Sequence, residues 1–109
     1  MAEPTLQQIF GANATQTATT LTISKADLAA VGLSASATNT AESLLVALLL
    51  KAGASLTDAN LQANPDQSIS IVDSFESLVT RNNTSYRQKT YSINLQKLDA
   101  NTPISPNDY

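Results

Sequence analysis

Residues 39–53, NTAESLLVALLLKAG, constrain this chain more than any other stretch, because positions 44–50 form an apolar run of seven residues without a polar break. Asn39 suits an N-cap, Glu42 stands three residues later in capping-box position, and Gly53 offers a left-handed stop. A helix of this length spans about 20 Å, too short to cross a bilayer. The spacing therefore predicts a buried central helix and not a membrane anchor. Ala41, Leu44, Leu45, Leu48 and Ala52 make a core stripe, while Val46, Ala47 and Leu50 continue the apolar surface around the far side. The neighbouring segments offer few large side chains to that second face. Either the strand and short helices sandwich the helix within one chain or another subunit covers that face; the second is favoured, and Val46 and Leu50 are read as candidate contacts for that subunit.

On the N-terminal side, Pro4 suits a first helical position, Leu6, Ile9 and Phe10 form an apolar edge, and Gly11 ends a short helix. Residues 17–23, TATTLTI, alternate as one strand, with Thr19, Leu21 and Ile23 on one side. Ser24 and Asp27 have cap spacing and open a helical turn or two that stops at Gly32. Ser55 and Asp58 repeat that spacing before a short helix closed by Asn64-Pro65.

From Ser68 onward the period changes to two. Ile69, Ile71, Phe75 and Val79 share one face of a strand, interrupted by Asp73 and Ser77, and Tyr91, Ile93 and Leu95 share a face of the return strand. A two-residue turn at Asn82-Asn83 would set Ile71 against Asn94 and Phe75 against Thr90, placing the two apolar sets on opposite sides. A three-residue loop, 82–84, would set Phe75 against Tyr91 and Ile71 against Leu95, which a half-buried hairpin requires. The expectation is the three-residue loop, or a bulge that does the same job. Residues 99–109, DANTPISPNDY, contain two prolines and little to bury. The fold is thus read as α+β. One domain, 1–98, has short N-terminal helices and one strand around a buried central helix, then a C-terminal antiparallel β-hairpin, and an extended tail follows at 99–109.

Much chemistry is excluded by what is missing. Without Cys there are no disulfides, thiol nucleophiles or thiolate metal sites, and without His the usual general base and commonest transition-metal ligand are gone. Formal net charge is −3 and only 14% of residues are charged, so solubility rests on 41 Thr, Ser, Asn and Gln side chains. The segment MAEPTLQQ has neither the basic nor the apolar region of a signal peptide, which makes cytoplasmic synthesis the expectation. The sequons at Asn13, Asn82 and Asn83 are read as chance in a chain so rich in Asn and Thr. Asp58, Asn60, Asn64 and Asp66 invite a calcium-loop reading, but Ala63 and Ile69 stand where that loop needs Gly and Glu. Capping of a short helix explains them better. Asp73 and Glu76, three apart on a strand, would point to opposite faces, with Asp73 at a sheet edge or beside Lys or Arg. No phosphate loop, nucleophile elbow or zinc motif occurs. The expectation is a protein that is not an enzyme, with no cofactor, no metal, no small-molecule substrate and no membrane partner.

Charge placement is the remaining signal. Arg81, Arg87, Lys89 and Lys97 are four of the six basic residues, no acid lies between Glu76 and Asp99, and Tyr86 and Tyr91 are interleaved. Such a hairpin could follow a phosphate backbone with rings available for stacking. Lys and Arg on an exposed strand also discourage unwanted edge pairing, and the acidic balance of the chain favours that reading. Arg87 and Lys89 fall on the apolar face near the tip, so the tip is expected to overhang the core. Arg81, Tyr86, Arg87 and Lys89 are therefore candidate partner contacts.

The lack of Cys and His, the connectors ANATQTATT and SASATNT, and the hairpin SISIVDSFESLV…SYRQKTYSINLQ together resemble small structural proteins of tailed-phage virions. The resemblance is one of texture over most of the chain. It implies a subunit of a ring, tail or decorated shell that grips its neighbours with hairpin and tail. It carries no functional residue over, because there is no motif to align. The expected function is non-enzymatic assembly, as a homo-oligomer or with other subunits, with Arg87, Lys89 and the 99–109 tail among the contacts. The alternative is a small nucleic-acid-binding regulator acting through the basic hairpin.

Overall fold

Thr5 begins the first helix. Its hydroxyl accepts from the Gln8 N–H at 3.2 Å, and Gln8 Oε1 accepts from the Thr5 N–H at 2.8 Å, closing a capping box around α1 (Leu6–Phe10). Pro4 therefore stands ahead of the cap. The computed structural model describes residues 3–99 and 103–109, so positions 1 and 2 of the expected domain and 100–102 of the expected tail lie outside the described residues. After α1 come β1 (Thr15–Gln16), β2 (Leu21–Thr22), a 3-10 helix (Lys25–Val31), α2 (Ala41–Ser55), α3 (Asp58–Ala63), β3 (Ile69–Arg81), β4 (Thr84–Leu95) and a short 3-10 turn (Pro106–Asp108). The architecture is α+β, with two separate two-stranded antiparallel sheets, β1–β2 and β3–β4.

The loop after α1 is tied down by a carboxylate. Asp27 accepts from the Asn13 N–H at 2.8 Å and from Asn13 Nδ2 at 2.9 Å, fixing that loop to the first 3-10 helix. Of the single strand expected at 17–23 only Leu21–Thr22 forms; residues 17–20 are a turn, and the partner strand, Thr15–Gln16, lies ahead of the expected span. The Thr17 hydroxyl accepts from the N–H groups of Thr20 and Thr19, at 3.0 and 3.3 Å, and turns the chain back so that Thr15 pairs with Thr22 and Gln16 with Leu21. A local side-chain bond has outcompeted the ladder.

Threonine also displaces the expected caps further on. Thr40, not Asn39, caps α2 by accepting from the Ser43 N–H, while Asn39 bonds Ser36 and Ser34 within the preceding loop. Thr57, not Ser55, caps α3, and Ser24 makes no side-chain cap bond. Gly53 does not stop α2, which runs on to Ser55. Nor is this helix enclosed. Among its described residues only Ala47 is buried; Leu44, Leu48, Leu49 and Leu50 are half-buried, and Leu45 and Val46 are 66% and 55% exposed. The buried edge thus runs through Ala47, assigned above to the far side, and Leu45 of the expected core stripe faces water. The reason is size: α1 and the first 3-10 helix, which pack on α2, are too short to wrap it.

The hairpin joins this body at its base. The Ile71 N–H donates to Leu56 O at 2.8 Å, and buried Gln67 donates through Nε2 to Thr57 O and Ile69 O. At the other end, Asn82 and Asn83 sit at φ +52° and +62°, a two-residue turn in place of the three-residue loop. Two successive asparagines tolerate the left-handed region, and that turn matches the twist of the strands. Arg81 pairs with Thr84 and the frame holds to Glu76 with Lys89; then it slips, and Asp73 pairs with Tyr91, Ile71 with Ile93 and Ile69 with Leu95. A bulge at Ser74 and Phe75 absorbs the phase conflict that the tight turn creates. Phe75 does not meet Tyr91, and Ile71 does not meet Leu95. Ile69, Ile71, Tyr91, Ile93 and Leu95 nonetheless share one face.

The chain end is not an extended tail. Lys97 Nζ donates to Pro103 O at 2.8 Å and to Asp108 Oδ2 at 3.0 Å, drawing the 3-10 turn against the base of β4. The molecule as a whole is drawn out. Its radius of gyration is 16.2 Å, where a compact domain of this length has about 13 Å.

Candidate functional site

The bulge decides the electrostatics of the hairpin. One extra residue between Asp73 and Glu76 brings both carboxylates to the face that carries Arg87, Lys89 and Tyr91, where simple alternation would have separated them. Lys89 pairs with Asp73, supplying the basic partner expected for that acid, and Arg87 Nη1 lies 3.2 Å from Glu76 Oε2. The Lys89 ammonium also sits 5.6 Å from the centre of the Tyr91 ring. Its pKa is raised above 10.5, chiefly by the hydrogen bond to Asp73. Each carboxylate is thus committed to a cation.

The opposite face of the hairpin tip is different. Val79 stands across from Tyr86, and the Arg81 guanidinium lies 4.6 Å above the Tyr86 ring. Tyr86 and Tyr91 consequently face opposite ways. The apolar set expected to share one core-sealing face is only partly covered: Phe75 is 61% and Ile93 50% exposed, Ile69, Ile71 and Tyr91 are half-buried, and Val79 lies on the opposite face from Ile71.

A second surface lies along α2. Val31, Leu33, Val46 and Leu50 line an open groove of about 480 Å³ whose other walls include Glu42 and Asn39. Val46 and Leu50 were identified from the helix pattern. Val31, Leu33 and Glu42 were not. Two large apolar residues flanking the helix-stopping Gly32, with no assigned partner, were the available signal for the first two. Glu42 was assigned to a capping box that does not form, so its carboxylate remains at the groove, without an ion-pair partner among the described residues.

The six expected contact residues therefore do not form one site. Val46 and Leu50 belong to the helix groove, and Arg81, Tyr86 and Arg87 to the hairpin tip beside Val79. Lys89 lies nearer the bulge. Of the calcium candidates, Asn60 donates to Ser55 O and Asn64 is buried. Among the described residues no group of three or more acidic, His or Cys side chains is placed to hold a metal ion, and no helix is long and apolar enough to cross a membrane.

Compared with protein-family models, curated proteins and solved structures, the chain matches none.

Proposed function

We propose that this protein is a non-enzymatic structural subunit of a multi-subunit assembly, with a tailed-phage virion as the setting its sequence texture suggests. The observation that supports this reading is an imbalance between interior and surface. Among the described residues the buried apolar side chains are Ala14, Leu28, Ala47 and Leu56, while Leu45, Val46, Phe75, Leu78, Ile93 and Leu95 are exposed. The accessible surface is 7879 Å² for a mass of 11.5 kDa, where a compact monomer of that mass has about 5,800 Å². The surplus, about 2,000 Å², is of the same order as two ordinary half-interfaces of about 800 Å² each. A chain with so thin an interior gains its missing burial from neighbours.

The nucleic-acid reading is less well supported. Arg87 and Lys89 are already neutralised by Glu76 and Asp73, and the two tyrosines lie on opposite faces, so one strand could not stack on both. Light scattering and sedimentation over a concentration series test the proposal. The expected result is a mass several times 11.5 kDa, with rings or filaments in electron micrographs. A monomer persisting at high micromolar concentration overturns it, as does salt-sensitive binding to nucleic acid lost on Arg87→Ala with Lys89→Ala.

A further inference from the structure

We infer that the α2 groove is filled by the hairpin tip of a second copy of this chain, so that subunits join head to tail. This rests on the assembly reading and adds to it the two surfaces and their polarity. The groove offers Val31, Leu33, Val46 and Leu50, with the unpaired carboxylate of Glu42 beside them. The tip offers Val79 and the Tyr86 ring with the Arg81 guanidinium stacked on it. Arg87 and Lys89 each hold an acid on the other face, whereas Arg81 has no carboxylate partner among the described residues. Apolar surface thus meets apolar surface, and an unpaired cation meets an unpaired acid.

A chain does not fill its own groove. The hairpin is moored to the C-terminal end of α2, through Leu56 and beside Gly53, while the groove lies along residues 39–50, and no hairpin residue lines it. Two unlike surfaces on each copy give a heterologous contact, which closes into a ring or continues as a filament according to its rotation. The areas agree, since the surplus surface of about 2,000 Å² accommodates one half-interface of about 800 Å² at each end.

Charge reversal tests the contact. Glu42→Arg and Arg81→Glu should each weaken self-association by at least about tenfold, and the double reversal should bring it back towards that of the native chain. Circular dichroism verifies that each variant is folded. The chain has no cysteine, so cross-linking gives an independent measurement. Val46→Cys and Val79→Cys chains mixed in equal amounts should oxidise to a disulfide-linked pair, and neither should do so alone. Three results overturn the inference while leaving the assembly reading intact: association unchanged by the single reversals, a double reversal no better than either single, or a disulfide dimer from Val79→Cys alone. A native chain that stays monomeric overturns both.

Discussion

Lys89 stands directly across the hairpin from Glu76, yet its ammonium pairs with Asp73, one step nearer the base. The diagonal arises because the bulge inserts a residue between the two acids and leaves each within reach of a different cation, Asp73 of Lys89 and Glu76 of Arg87. One irregularity in the backbone thus sets the register, the shared apolar face and the ion pairs together.

Deletion of Ser74 should remove the bulge without scrambling the hairpin. Asp73 would still meet Tyr91 and Glu76 would still meet Lys89, now in one unbroken ladder with Phe75 opposite Thr90, so every side chain that is now paired keeps its face. Cross-strand contacts seen by NMR should retain both pairings while the bend disappears. Pairings displaced by one residue would show that the register is set elsewhere.

Alanine at two glycines should act in opposite directions. Gly11 has φ +118°, and a Cβ there would lie 2.5 Å from the Asp27 Cβ, so Gly11→Ala should destabilise by about 1–3 kcal/mol. Gly53 is inside α2, and a Cβ there would meet Ile71 Cγ2 at 3.5 Å, an ordinary contact. Gly53→Ala should therefore stabilise by about 0.5–1 kcal/mol in urea unfolding. Shifts of the same sign at both positions would refute this.

The Asn82-Asn83 turn should respond to backbone preference alone. Asn83, at φ +62°, should accept Gly with a gain of about 0.5 kcal/mol, whereas Asn83→Val should lose about 1 kcal/mol or more. Equal thermal midpoints for the two variants would mean that the tip opens without consequence for the rest of the ribbon.

Acid should release the chain end late. The Ser105 N–H, and after it the Lys97 ammonium, hold the Asp108 carboxyl below its ordinary 3.8. Because the folded state favours the ionised form, its contribution is present above 3.8 and disappears as pH falls through the lowered value. Tyr109 ring signals should stay constant from pH 7 to about 4 and change only below, while Asp108→Asn should release the turn already at neutral pH. A change completed above the ordinary carboxylate value would contradict the assignment.

The four helical segments between Leu6 and Ala63 were legible from polar residues ahead of apolar runs, although threonine holds the cap expected of Asn39 and of Ser55, while the capped turn at Pro106–Asp108 was read as extended tail. The 17–23 strand was misread because the bonds that break it belong to one hydroxyl, Thr17, which alternation does not register. The depth of α2 was overestimated because burial depends on the bulk of whatever packs against a helix. Its own sequence records only that covering is needed. The hairpin cations were legible as a cluster, but their pairing with Asp73 and Glu76 depends on a bulge that periodicity could suggest and not locate. Val31 and Leu33 join the groove only once the chain has turned at Gly32.

The hairpin is also a lever. It meets the helices near Ile71 and reaches to Asn82, an arm of roughly 35 Å, so a tilt of ten degrees at the mooring would carry the tip about 6 Å. In the proposed assembly, copies linked through such an arm would follow arcs of different radius while the packing inside each body stays unchanged.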